Sequence, residues 1–369
     1  AGLAVARSLG RAGVPVGGIA WSPRDFGLKS RYLDARRLVA SGNDDAVLAA
    51  LRDEARGGRV VLFPDRDENV EWALRRWDEV RAVADVPLPD DPEGARRLRR
   101  KDLLPAVAEE AGIPAPPTVL AAGDDGIRAA GLRPPLVVKA VEGQEYALAF
   151  GHKAVVADNL DDALEAVRTA SDHGFSTVVQ ELVPNSHERI YSLLAYIGRA
   201  GEPLATVVGR KVRQGPLRFG TSAVFEVDYE PRVLELGLRL LRAAGYTGIA
   251  HVEFAHDPRD DEFRVLEVNT RLPVWAALAA HRRLDLPRIA YDDLCGREVA
   301  PLPTFRDRLT WIYLAKDVYV SLQMARRREL GPREFLSRYL RGPKARAVFA
   351  PDDPWPALAS LGYLRSRTP

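Results

Sequence analysis

The chain has 369 residues, 46% hydrophobic and 28% charged, with a formal net charge of +2. That length exceeds one compact core and predicts two or three domains, and the balanced charge argues against a dedicated polyanion binder. A single cysteine excludes an intramolecular disulfide and a cysteine-only zinc cage, and no apolar run reaches membrane-spanning length.

Residues 1–92 read as a small open α/β unit. A helix near 2–12 leads to a strand over 14–20, and a helix over 44–56 precedes the apolar strand 59–63. Pro64-Asp-Arg-Asp67 ends that strand, 68–77 is helical, and Asp85-Val-Pro-Leu-Pro89 closes the unit. Alternating strands and helices imply a parallel sheet, with polar residues at strand ends facing the ligand crevice. Asp67 is therefore a candidate substrate residue, the alternative being an N-cap for the next helix. A βαβ unit begins with a strand, so an opening strand is expected ahead of Ala1.

Residues 93–182 form the next segment. The stretch 91–117 is helical until the extended linker Gly112-Ile-Pro-Ala-Pro-Pro117, and Lys101 follows Arg96-Arg-Leu-Arg-Arg100 on that helix. Lys101 reads either as a ligand contact or as part of a solvated basic face. Only seven of the 53 basic residues are lysine (29, 101, 139, 153, 211, 316 and 344), so each invites attention. The strand 134–140 carries Lys139 as its lone charge, which needs an anionic partner if buried. A loop over 141–151, a strand over 153–157 and a helix over 160–173 precede the strand 177–183. That strand runs through Gln180-Glu181-Leu182-Val183, a junction able to offer backbone groups to a planar base.

Residues 183–300 contain strands at 191–197, 205–212 and 223–227 and a helix over 231–244. Arg210, Lys211 and Arg213 cluster on and after the second strand. Arg213 could clamp phosphate or carboxylate bidentately, or serve as an edge-strand charge. Two β-rich flanks, Ile249–Ala255 and Phe263–Arg271, then enclose the polar stretch 256–262, which reads as a hairpin with a long turn. Alternation places Ile249, His251 and Glu253 on one face, and Val265, Glu267 and Asn269 on one face of the partner. With the turn centred on Asp260, Glu253 lies opposite Glu267, their Cβ atoms about 5 Å apart. Facing like charges are destabilising, so the pair calls for a cation. Two carboxylates and the Asn269 amide are hard ligands suited to Mg²⁺. The alternative is a pair of solvated carboxylates without an ion. Residues 301–369 form an Arg-rich extension with an amphipathic helix around 311–328, expected to pack on the core or to form a homodimer contact.

This order of parts resembles the ATP-grasp superfamily. The α/β lead-in, two lysines on separate elements, the Gln-Glu-Leu-Val junction, the Arg/Lys strand, and Val-Glu-Phe with Leu-Glu-Val-Asn-Thr-Arg carry the likeness. Within the superfamily the chain is similar to carboxylate–amine ligases of the D-aspartate ligase type. The resemblance implies an α/β and α+β fold, an ATP-grasp body behind an N-terminal open parallel domain. It implies ATP with Mg²⁺, or Mn²⁺ in its place. Lys101 and Lys139 would contact phosphates. Gln180, Glu181 and Val183 would line the adenine site, and Glu188 would bind ribose. Glu253, Glu267 and Asn269 would hold metal. Arg271, Arg213 and Lys211 would serve catalysis, and Asp67 would shape the substrate site. The chain departs from the pattern at the glycine-poor loop 141–151, at Thr270 where Pro is common, and at the opening strand.

The implied activity joins small-molecule carboxylate and amine substrates of amino-acid size through an acyl phosphate, releasing ADP and phosphate. The alternatives are a carboxylase or carbamoyl-phosphate-type enzyme, or a non-catalytic ATP-binding regulator. With no signal peptide visible, the expected setting is the cytoplasm, without nucleic-acid or membrane partners.

Overall fold

A computed structural model describes residues 1–365 apart from Glu142, Asn185, His187, Glu188, Arg218 and Arg282; the side chains of Gln144 and of residues 361–365 also lie outside the description. The lead-in holds two parallel strand pairs. β1 (Gly17–Ala20) lies beside β2 (Ala35–Leu38), and β3 (Val60–Val61) beside β4 (Ala84–Asp85). The single parallel sheet expected there is therefore split. The strand β2 reads Ala-Arg-Arg-Leu and is largely exposed, so no apolar pattern announced it.

A four-stranded antiparallel sheet follows, built from β5 (Thr118–Leu120), β6 (Leu136–Ala140), β7 (Ala154–Ala157) and β8 (Thr177–Glu181) in the order β5-β8-β6-β7. The helix Leu160–Asp172 covers it, started by Asn159, whose side chain accepts from Asp162 N at 2.9 Å. Leu136, Val138, Leu164, Val167 and Val179 form a core of their own. The loop expected over 141–151 is instead largely the helix Gly143–Phe150. Tyr146 and Phe150, one turn apart, lie 4.6 Å from each other and within 6 Å of Phe175, so aromatic packing folds a segment whose local signals are weak.

The long helix expected over 91–117 breaks into Pro92–Arg99 and Leu104–Glu110. Pro105 stands in the first turn of the second helix, where its missing N–H costs nothing. Lys101 consequently sits in the turn between them and not on a helix face.

The principal sheet has seven strands: β9 (Ile190–Ile197), β10 (Pro203–Gly215), β11 (Thr221–Val227), β12 (Gly248–Asp257), β13 (Glu262–Asn269), β14 (Thr310–Ile312) and β15 (Lys344–Arg346). Their order is β13-β12-β9-β10-β11-β14-β15, antiparallel except for the last pair. Alternation sorts their side chains onto two faces. Leu193, Ala195, Ala250, Val252 and Phe254 meet the helix Pro231–Ala243 and the lead-in core. Leu194, Tyr196, Ile249 and Phe225 meet Trp275, Leu278 and Leu286 on the other side. Gly248 joins the lead-in to this sheet. Its φ is +102°, and a Cβ there would lie 2.2 Å from Pro87 O, the acceptor for Ile249 N at 2.9 Å.

The extension completes the sheet. Trp311, expected on a helix, belongs to β14 and is buried; the helix begins at Leu314 and runs to Arg326. Farther on, Asp353 is fully buried and accepts from Arg7 Nε (2.9 Å), Ser30 Oγ (2.7 Å) and Arg31 N (2.9 Å), which clasps the tail to the lead-in.

Arg213 is bidentate to Asp317 on the extension helix, at 2.5 and 3.0 Å, and Tyr339 donates to the same carboxylate. The two charged side chains are 2% and 0% exposed. Asp317→Ala leaves a buried guanidinium unpaired and should cost about 3–5 kcal/mol in urea unfolding. The double change Arg213→Met with Asp317→Leu should recover most of that loss.

Candidate active site

The hairpin of β12 and β13 sets the site. Glu253 pairs directly with Glu267, and His251 with Asn269, in the register expected from the turn. The turn itself is shorter than expected, because the strands reach Asp257 and Glu262 and leave only residues 258–261. Asp257 explains the extension: it is buried, and Arg259 and Arg264 bond its carboxylate and hold it well below the usual carboxylate range.

The expected face of β13 needs one correction. A bulge between the pairs Glu253–Glu267 and Phe254–Val265 leaves Leu266 as an extra residue. Val265 therefore turns into the core with Val252 and Phe254, while Glu267 and Asn269 keep the cleft face.

That face forms one wall of a cleft of about 1890 Å³. Single small-molecule pockets run to roughly 1,000 Å³, so the space accommodates a nucleotide together with further reactants. Lys101, Lys139, Gln180, Glu181, Val183, Lys211, Glu253, Glu267, Asn269, Arg271 and Asp67 all line it. Arg213 does not. A second bulge, in β10 around Val212 and Arg213, shifts the alternation, so Lys211 and Gln214 share the cleft face and Arg213 turns away to Asp317. Glu188 lies outside the described residues.

The charges are arranged around the two glutamates. Lys211 Nζ contacts Glu253 Oε2 at 2.8 Å, and both side chains are nearly buried. Burial alone would raise the Glu253 carboxyl, but Lys211 and His251 outweigh it and the pKa is lowered. Glu267 has no hydrogen bond or ion pair among the described residues. Two unit charges about 5 Å apart would repel by about 3 kcal/mol at an effective dielectric near 20, so the facing carboxylates are mutually unfavourable, and Lys211 offsets only the Glu253 side. The half-buried Glu267, the Asn269 amide and the opposed Glu253 thus make a donor set that fits a hard divalent cation.

Lys139 stands on β6, and its Nζ donates to Gln180 Oε1 at 2.7 Å; Gln180 in turn donates to Thr118 Oγ1 at 2.8 Å, which fixes the lysine head. Burial pushes Lys139 down to about 8, with Glu267 opposing and Lys101 adding to the fall. Lys101 Nζ reaches Val141 O at 3.3 Å, across the base of the segment before the Gly143–Phe150 helix. The Glu181 carboxylate is held by Arg133 N at 2.9 Å and by the Arg133 guanidinium. Among the described residues Val183 N–H has no partner, which leaves it free to donate to a ligand.

Arg271 is held from the lead-in. Its guanidinium is bidentate to Asp67, at 2.8 and 2.5 Å, and it donates to Asn269 Oδ1 at 3.3 Å. Asp67 occupies the first turn of the helix Asp67–Arg75, but its carboxylate caps nothing and serves Arg271. Burial favours the neutral acid there; Arg271, Arg99 and Lys153 reverse the balance and lower the pKa. Arg99 also donates to Thr270 Oγ1 at 3.4 Å.

His152 sits exposed beside Tyr146 and Phe150, whereas His251 lines the cleft. His251 packs edge-on to Trp275, and neither ring nitrogen has a hydrogen-bond partner among the described residues. Burial lowers its pKa to about 4, so the ring is neutral near pH 7.

Sequence reasoning assigned no role to Arg99, Trp275, Lys153 or Lys316. The scarcity of lysine pointed to the last two. Nothing separated Arg99 from its basic neighbours.

The chain is similar to known proteins in sequence and in fold. Residues 222–282, which include both glutamates, Asn269 and Arg271, match the family model for the ATP-binding domain of the carbamoyl-phosphate synthase L chain. A crystal structure of an ADP complex of N5-carboxyaminoimidazole ribonucleotide synthetase superposes with a TM-score of 0.65, at 14% identity, over 88% of this chain and 82% of the other. The chain has an ATP-grasp fold. An L-amino acid ligase from Bacillus licheniformis shares this ATP-grasp architecture, with a TM-score of 0.59 at 16% identity over 79% and 70% of the two chains. By sequence, D-aspartate ligase of Enterococcus faecium (strain Aus0004) is 25% identical over 118 residues, 31% of this chain and 28% of that protein.

The half-buried Lys139 makes one prediction. Lys139 has a folded pKa near 8, below its unfolded value of about 10.5. The charged form is therefore destabilising below pH 8, and stability is regained as pH rises from 8 towards 10.5. Lys139→Met should be more stable than the parent at pH 7, by about 3 kcal/mol before lost packing, with the gap closing by pH 10.5 in denaturant unfolding.

Proposed function

We propose that this ATP-grasp protein is an ATP-dependent ligase that joins a carboxylate to an amine. The observation that carries the reading is the direct opposition of Glu253 and Glu267 on the wall of a cleft shared with Lys139 and Arg271. A carboxylate is a poor electrophile until one oxygen is phosphorylated. Its oxygen attacks the γ-phosphorus of ATP and ADP departs. The amine nitrogen then attacks the acyl carbon, phosphate leaves, and the nitrogen loses a proton. Such transfers need alignment and charge neutralisation more than covalent help.

Each residue has a place in that scheme. Lys101 and Lys139 hold the phosphates, and Gln180 orients Lys139. The backbone at Glu181 and Val183 faces the adenine. Glu253, Glu267 and Asn269 would hold Mg²⁺, which supplies positive charge to the phosphate oxygens. Arg271, aimed by Asp67, stabilises the transferring phosphoryl group, and Lys211 balances Glu253. The D-aspartate ligase and L-amino acid ligase likenesses support substrates of amino-acid size.

A second reading, a bicarbonate-using enzyme, is favoured by the matched carbamoyl-phosphate synthase model and by the carboxyaminoimidazole synthetase likeness. ADP release that requires bicarbonate alone would select it.

The ligase reading predicts ADP release that needs both an acid and an amine, and hydroxamate formation when hydroxylamine replaces the amine. Glu267→Ala should lower kcat by roughly 10²–10³-fold, with a metal-free melting curve no lower than the parent's because the facing repulsion is relieved. Full turnover in that variant would refute the assignment.

A further inference from the structure

We propose that Lys153, Lys211 and Lys316 form an anion subsite that recognises a second acidic group, carboxylate or phosphate, on the acid substrate; the proposal rests on the ligase reading of the cleft. Three separate segments deliver these ammonium groups. Lys153 precedes β7, Lys211 lies on β10, and Lys316 stands in the first turn of the extension helix Leu314–Arg326. The first two line the cleft directly.

Lys316 does not itself line the cleft but borders it at the end of β10, bound to a residue that does. Its stem packs on Gly215, where an added Cβ would lie 3.1 Å from Lys316 Cε and 2.7 Å from Val320 Cγ2. Its Nζ donates to Thr221 O at 2.9 Å and to Thr221 Oγ1, and Thr221 lines the cleft. The neighbouring Asp317, fixed by Arg213 and Tyr339, sets the rotation of the helix and so the direction of the lysine. Burial lowers Lys316 to about 8, with Lys211 and Lys153 pushing the same way, so the three charges are felt together.

The counter-charges are too few. Lys211 is matched by Glu253, but neither Lys153 nor Lys316 has an ion pair among the described residues. Lys153 feels Asp67, whose carboxylate is already committed to Arg271. A dianionic substrate whose transferable carboxylate lies near Glu253 and Arg271 would place its other acidic group among these lysines. Charge-assisted hydrogen bonds there would favour it over a monoacid.

The test is calorimetric titration of the full chain with glutarate, 3-phosphonopropionate and butyrate, with and without Mg²⁺ and a non-hydrolysable ATP analogue. At least one dianion should bind about tenfold or more tightly than butyrate, and whichever wins identifies the second group as carboxylate or phosphate. Lys316→Gln should bring that ratio close to one, and Lys316→Arg should restore most of it. Gly215→Ala, which displaces the stem without removing the charge, should lower it as well. Equal affinities for dianion and monoacid in the parent chain, no measurable dianion binding, or an undiminished ratio in Lys316→Gln would overturn the subsite. Hydroxamate formation by the parent chain is scored separately, so failure of the ligase reading remains distinguishable from failure of the subsite.

Discussion

Two acidic side chains forced to face each other govern the rest of the cleft. The β12–β13 register leaves Glu253 and Glu267 no freedom to separate, because each is one rung of a ladder whose opposite face is packed with Val252, Phe254, Val265 and Val268. Slipping the register by one residue would relieve the repulsion but bring charge into that core. The structure instead surrounds the pair with positive groups of graded strength. Lys211 touches Glu253, Lys139 feels both glutamates from the neighbouring sheet, and Arg271 approaches through Asn269. This gradient leaves the Glu267 side underneutralised, which suits a site that must take up a cation and polyphosphate together.

Two bulges decide which charges enter the cleft. The extra residue Leu266 lets Val265 remain in the core although Glu267 points out, and the irregularity beside Arg213 turns that arginine from the cleft to Asp317. In both cases one inserted residue changes the face of everything beyond it. The extension is tied to the site by the same device. By facing away from the cleft, Arg213 anchors the helix that presents Lys316.

Regular alternation was enough to read the hairpin, the opposition of Glu253 and Glu267, and the lone charge at Lys139 directly from the residues. A bulge has no such signature: Leu266 and Val212 are ordinary apolar residues in ordinary strands, so the faces of Val265 and Arg213 were misassigned. The helix Gly143–Phe150 was equally hidden, since its stability comes from Phe175, a residue 25 positions beyond its end. The Asp67–Arg271 pair joins residues that are distant along the chain, and Asp67 alone offered no way to tell a substrate contact from a brace.

The division of labour between the two cations follows from their chemistry. Arginine holds the fixed joints: Arg213 to Asp317, Arg271 to Asp67 and Arg7 to Asp353, the first two through planar bidentate contacts. Lysine lines the variable space at positions 101, 139, 153 and 211. A guanidinium stays charged and demands a matched fork, which suits a permanent joint. An ammonium is a compact charge whose pKa yields to burial, as Lys139 and Lys316 do, and it reorients on a flexible stem. A cleft that must bind, neutralise and then release successive anions is better served by groups that do not lock their partner in one geometry. In a chain where 46 of the 53 basic residues are arginine, the lysines of the cleft therefore argue for exchangeable ligands there, beside arginines such as Arg271 whose geometry is fixed by a partner.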